Sequence, residues 1–182
     1  MVKTRAMRVL LAAVVGVAGW SAGVGAAVGA PGDLDTSFST DGIVLTDISG
    51  DEDDDAYGVV VDSQDRIIVA GESGDWPGGI DFAVARYTSA GVLDTSFSTD
   101  GKLTTDIGSG TDYGHAVAVD SNDRIVVAGY AWNDSNRDFA VVRHTSAGVL
   151  DAAFSSAFGA VDGMVMTPIC TYSDFGYAVA LD

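Results

Sequence analysis

Cys170 is the only cysteine, so no disulfide can form within the chain, and stability must come from packing, an ion or a partner. It follows Ile169 where the corresponding strands end in Ser49 and Gly108, and reads as a turn residue; nothing near it in sequence would lower its pKa. Positive charge is scarce as well. Nine Lys and Arg stand against 26 Asp and Glu, a formal net charge of −17. That balance excludes nucleic acid and anionic lipid as partners, since phosphate contacts need Lys and Arg. It favours solubility and can collect cations. There are two histidines, and neither a Gly-x-Ser-x-Gly elbow nor a phosphate-binding loop is present, so nothing points to catalysis. No stretch after Ala30 has a helical period.

The scarce basic residues are unevenly placed. Lys3, Arg5 and Arg8 lie in the first ten positions, and no acid precedes Asp33. An apolar run over residues 9–18, too short to span a bilayer comfortably, is followed by small residues over 21–30. Residues 1–30 therefore read as a secretory signal peptide, cleaved after Ala26 or Ala30, with an uncleaved anchor as the alternative. The expected location is secreted, periplasmic or at a bacterial cell surface, with no stable membrane insertion once the leader is removed.

The rest is organised by an internal repeat with a spacing of about 58 residues. Leu34-Asp-Thr-Ser-Phe-Ser-Thr-Asp-Gly42 returns letter for letter at 93–101, and a looser copy begins at Leu150. Asp62-Ser-Gln-Asp-Arg66 returns as Asp120-Ser-Asn-Asp-Arg124, and Asp81-Phe-Ala-Val84 as Asp138-Phe-Ala-Val141. Units of about 33–91 and 92–148 and a partial one of 149–182 fill the span 31–182. Each full unit reads as four short strands: 56–61, 66–70, 82–87 and 42–48 in the first, with 178–181 a third copy of the leading strand. The first two strands are continuous apolar runs, as in Ile67-Ile-Val-Ala70, and should be buried on both faces. The later strands, with Arg86, Lys102, Thr104 and Thr105, should be wetter. The expected fold is all-β, with propeller-like four-stranded units.

In fixed order these motifs resemble the bacterial delta-60 repeat, with Leu-Asp-Thr-Ser-Phe-x-x-Asp-Gly, Tyr-Ala-Val-Ala, Arg-Ile-Val-Val-Ala-Gly and Asp-Phe-Ala-Val-x-Arg-Tyr. They sit here at 34–42 and 93–101, 57–61, 124–129 and 81–87. The resemblance implies a propeller-like fold in an exported or surface protein and carries over no catalytic residues. Propellers typically have about four to eight blades. Two units and part of a third fall short of a ring. The expectation is a truncated reading frame, with assembly of several chains, or an open stack, as alternatives. An apolar strand at an open edge also allows self-association.

His115 and His144 occupy slots where other copies place Tyr57, Tyr177 and Tyr87, so both read as packing residues. The loop 51–55 concentrates carboxylates, and Asp51, Asp53, Asp55 and Asp62 fall at positions 1, 3, 5 and 12 of an EF-hand-like count, which makes calcium the expected ion if one binds. The second unit has Gly-Ser-Gly-Thr-Asp there, so the cluster reads as foreign to the repeat. Trp76 and Trp132 lie among polar residues between the second and third strands and are the candidates for stacking on a glycan or a surface protein. The expected function is a non-enzymatic, exported scaffold or interaction module; the alternative is a calcium-stabilised or glycan-binding surface module.

Overall fold

A computed structural model describes residues 7–9, 30–50, 53–75, 79–155 and 163–182. The described residues form two four-stranded antiparallel sheets and one two-stranded pair. The pair joins β1 (Met7–Val9), inside the expected leader, to β2 (Val44–Thr46). The first sheet runs in the order β3 (Asp54–Val61), β4 (Ile67–Asp75), β5 (Gly79–Tyr87), β6 (Lys102–Thr105). The second runs β7 (Tyr113–Val119), β8 (Ile125–Trp132), β9 (Arg137–His144), β10 (Met164–Thr167). One short helix, α1 (Ala152–Ser155), lies between β9 and β10.

Local chemistry sets these elements. Val and Ile runs suit a pleated, buried surface. The turn between the first two strands is closed by an aspartate: Asp62 Oδ1 accepts the N–H of Gln64 and of Arg66, while Arg66 Nε donates to Oδ2 at 2.6 Å. Asp120 does the same for Asn122 and Arg124. Asp65 and Asp123 take the left-handed conformation that these turns need, with φ of 59° and 56°.

Blade and sequence unit are out of phase. β6 closes the first blade although it follows the second Leu-Asp-Thr-Ser-Phe motif in sequence. Each blade thus takes its outer strand from the next unit, and the units interlock. The linking motif is held by a buried ion pair. Arg86, 1% exposed, donates through Nε to Asp94 Oδ2 at 2.9 Å, lies 4.7 Å over the Phe97 ring, and reaches the Ser146 carbonyl. Arg143, Asp151 and Phe154 repeat this arrangement. The Phe97 ring in turn sits on Gly148, where φ is +81° and a Cβ would come within 2.9 Å of the ring, so the Ser-Ala-Gly turn needs glycine there. Charge-assisted, stacked arginine explains why Arg86 is buried and not wet as the sequence led one to expect.

The core lies between the blades. Ile68, Ala70, Phe82 and Val84 of the first meet Ile125, Val127, Ala140 and Val142 of the second. Val69, on the other face of β4, packs with Ala85, Tyr87 and Val44, so β4 is buried on both faces as expected. β3 is not: Tyr57, Val59 and Val61 are exposed, because β2 reaches only part of that face and no described blade covers the rest. Residues 178–181 form no strand, since no described strand pairs with them. The segment is nevertheless docked as β7 is docked. Asp174 N–H donates to the Arg137 carbonyl at 2.6 Å, as Asp112 N–H does to Ile80. Gly176 lies against the Gly129 carbonyl as Gly114 lies against Gly71, each so close that a Cβ would fall within 2.6 Å.

His144 and Tyr87 are equivalent, and the structure gives them the same partner. The Tyr87 hydroxyl donates to Thr46 Oγ1 at 2.6 Å, and His144 Nε2 contacts Thr105 Oγ1 at 3.1 Å. Burial pushes the His144 imidazole down to about 4 from 6.5. A histidine held neutral stabilises fully above its unfolded pKa, and that stability is lost as pH falls from about 6.5 toward 4. His144→Tyr should keep the hydrogen bond and remove this acid sensitivity. Thermal melts at about pH 7 and pH 5 should show a smaller drop for the variant than for the natural chain. An equal drop would assign the sensitivity elsewhere.

Candidate functional site

The described members of the predicted calcium set, Asp53, Asp55 and Asp62, are not gathered in one place. Asp51 lies outside the described residues, as does Trp76. Asp53 and Asp55 are exposed at the start of β3, and Asp62 lies just past its far end, roughly 30 and 23 Å away from them at the usual strand rise. The Asp62 carboxylate is occupied by Arg66 and its own turn.

One member of the acidic loop does have a repeated role. Asp54 Oδ2 accepts the Ile48 N–H at 2.9 Å. Asp112, fully buried, takes the N–H groups of Ile107 and Gly108 on Oδ2 and of Trp132 on Oδ1. Asp174 takes those of Ile169 and Cys170. The cluster was expected to be foreign to the repeat, but Asp54 is the repeat residue. The first copy spaces Ile48 and Asp54 six apart and the others five, and that one-residue insertion hid the match. Burial raises the Asp112 carboxyl above its ordinary value, against the three N–H groups that favour the charged form. Its carboxylate also comes within 4.8 Å of those of Asp81 and Asp106.

Trp132 is the last residue of β8, not part of a loop. It is half-buried and packs over Gly110, while its carbonyl accepts the Ser109 N–H. These contacts anchor the neighbouring loop.

The described residues bring together a different group at the junction of the blades. Both inner strands carry a β-bulge, between Ala56 and Gly58 and between Gly114 and Ala116. The bulged residues are Tyr57 and His115, the slots that the sequence marked as interchangeable rings. A bulge re-aims one side chain without ending the strand. Here it sets the rings in a row with Tyr177, the same position of the third copy. Tyr57 to His115 and His115 to Tyr177 are each 5.0 Å between ring centroids. Tyr130 lies 5.2 Å from His115, and Phe175 meets Tyr130 edge-on at 4.9 Å. Tyr57 is 50% and Tyr177 65% exposed, so the row opens to solvent at both ends.

Glu72, on β4, adds a charge to this apolar group. It is 8% exposed; Oε1 accepts the Tyr57 hydroxyl at 3.4 Å and Oε2 is buried with no partner. Burial first, then the Asp55 carboxylate, pushes Glu72 up to about 7 from 4.5. Burial, Glu72 and Asp55 push the Tyr57 phenol up to about 12. His115 Nε2 is also buried without a partner, and burial lowers the pKa of its ring. Glu72 escaped the sequence analysis because its slot holds Tyr130 in the second unit, so the acid does not repeat and belongs to no motif.

A family model described as "Domain of unknown function (DUF5122) beta-propeller" matches residues 65–97 and 121–154. The two sheets are blades of a propeller-like fold. Among the described residues these blades form no closed ring. Each match begins in the aspartate turn and runs through the second and third strands into the Leu-Asp motif, and so covers the buried hairpin and the Arg-Asp-Phe lock of each blade. No curated protein matches the chain in sequence. Among the described residues no helix is long and apolar enough to cross a membrane.

If the repeat aspartate holds the blade junction, its loss should be felt far more than that of its exposed neighbour. Asp112→Ala strands three N–H groups and should cost about 2–4 kcal/mol in urea unfolding. Asp53→Ala should stay within about 0.5 kcal/mol.

Proposed function

We propose that the protein is a non-enzymatic, exported repeat module that acts by binding, through the ring row Tyr57–His115–Tyr177 and its neighbours. The observation that carries this reading is the recurring bulge. Both complete blades give up a ladder position to aim a ring at one shared place, the third copy adds Tyr177 there, and the row is half in solvent. Strand pairing does not require those rings. By contrast the repeated polar residues are engaged in holding the blades: Asp62 and Asp120 in turns, Arg86 and Arg143 in ion pairs, Asp54, Asp112 and Asp174 in loops. Half-exposed rings beside polar groups suit stacking on a sugar or on a partner's side chains. Export rests on the leader-like residues 1–30.

The test is a panel of soluble oligosaccharides and small amines titrated against the natural chain and a Tyr57→Ala, Tyr177→Ala double variant. Both substitutions lie on exposed rings, so the melting temperature should hold within a few degrees. A ligand bound by the first and lost by the second, at least about tenfold, is the expected result. Equal binding by both would move the surface elsewhere. Turnover of any panel member would overturn the non-enzymatic reading.

A second reading, a calcium-stabilised module, is favoured by the three carboxylates of Asp81, Asp106 and Asp112 and not by the loop 51–55. Hard oxygen ligands at that spacing suit calcium. Calcium at about a hundred times its dissociation constant should stabilise by about 2.7 kcal/mol. The melting temperature should rise in millimolar calcium and lose that rise in Asp106→Asn; no rise would remove this reading.

A further inference from the structure

The ring row carries a charge arrangement that an uncharged ligand would leave unexplained. Asp55 and Glu72 are direct partners in the β3–β4 ladder, so two acids stand opposite each other on one face. Like charges there repel. No basic side chain forms an ion pair with either among the described residues. The charged and titratable groups around them are the Tyr57 phenol on β3, His115 on β7, Tyr130 on β8 and Arg137 on β9. Arg137 lies over the Tyr113 and Tyr130 rings at 5.5 and 5.6 Å and makes no ion pair with either acid. Glu72 Oε2 is therefore a buried acceptor without a donor, on a carboxyl whose other oxygen meets the Tyr57 hydroxyl. A buried polar atom of that kind calls for an explanation.

The cover over Glu72 is slight. Tyr57 shields it through one hydrogen bond of 3.4 Å, long for its kind, and half the Tyr57 surface is already in solvent. Turning that ring outward on its bulge would break this bond and open the carboxyl to solvent.

We infer that Asp55, Glu72 and the rings of Tyr57 and His115 form a binding site for a small organic cation, a primary or quaternary ammonium. The carboxylates meet the charge, and the ring faces take the methyl or methylene groups around it. This rests on the proposed binding role of the ring row and names the class of ligand it takes. The proton balance is fixed by the acid: a ligand cation needs Glu72 ionised, and Glu72 holds its proton up to about pH 7. Binding therefore strengthens as pH rises through 7 and releases a proton below it.

The experiment is calorimetric titration of the full chain at about pH 8 with choline and, in parallel, with 3,3-dimethylbutan-1-ol, its uncharged carbon analogue. Choline should bind and the alcohol should not. Choline affinity should fall by up to about tenfold between pH 8 and about pH 6. It should fall similarly in Glu72→Gln, and by less in Asp55→Asn, with the melts confirming that both variants fold. Below pH 7 the heat should depend on the buffer's ionisation enthalpy, which a purely structural Glu72 would not produce. Equal binding of both probes, or binding indifferent to Glu72→Gln, overturns the cation site. If choline fails to bind while the ring variant still loses an oligosaccharide, the inference falls and the binding role of the row stands. If neither probe nor any oligosaccharide depends on the rings, both fall.

Discussion

Asp112 serves the blade junction twice. Its carboxylate closes the loop that enters the inner strand, and its own N–H bonds to the preceding blade's third strand. The first set of bonds fixes where the inner strand starts, and the second fixes how far it sits from its neighbour. Two residues on, a glycine lets the strand approach a carbonyl of that neighbour more closely than any side chain would allow. The bulge follows at the next residue. Register, spacing and the aim of the ring at 115 are thus set within four consecutive residues, and Asp174, Gly176 and Tyr177 repeat the docking N–H, the close approach and the ring without a strand partner. An error at the aspartate would displace everything after it.

The acid-rich composition has two different uses. Inside, carboxylates are matched: Asp94 and Asp151 to arginines, Asp62 and Asp120 to arginines and turns, Asp112 to three N–H groups. Burial works against the Asp94 charge, yet Ser96 and Arg86 hold its carboxyl below the ordinary range. Matching of this kind is what buried charge requires. Glu72 is the contrast. It is as well buried as these groups, lacks a cation, and faces a second acid. Structural need explains the first set and leaves Glu72 over, which is why the argument for a ligand starts from it.

Much of the architecture was legible because it repeats. Strand positions, the turn aspartates and the interchange of Tyr57 with His115 all follow from aligning the copies. What failed to show had physical reasons. Arg86 is hydrophilic in any sequence scale, and only stacking on Phe97 with pairing to Asp94 makes its burial tolerable. Asp54 was hidden by one inserted residue within a run of acids that looked like a single feature. Trp132 sits among polar neighbours, but strand pairing with Arg137 carries it into β8. Val59 and Val61 read as core, and are so only where another blade covers them, as Val117 and Val119 are partly covered in the second. Glu72 depends on a cross-strand neighbour seventeen positions away, which no local pattern reveals.

Asp112 and Asp174 each dock their copy on the one before through the same backbone N–H. Amide hydrogen exchange followed by NMR tests it directly, because Asp174 lies in a segment with no strand partner. Slow exchange at both Asp112 and Asp174, with the residues just before Asp174 exchanging fast, is what the docked geometry predicts. Rapid exchange at Asp174 with slow exchange at Asp112 would contradict it.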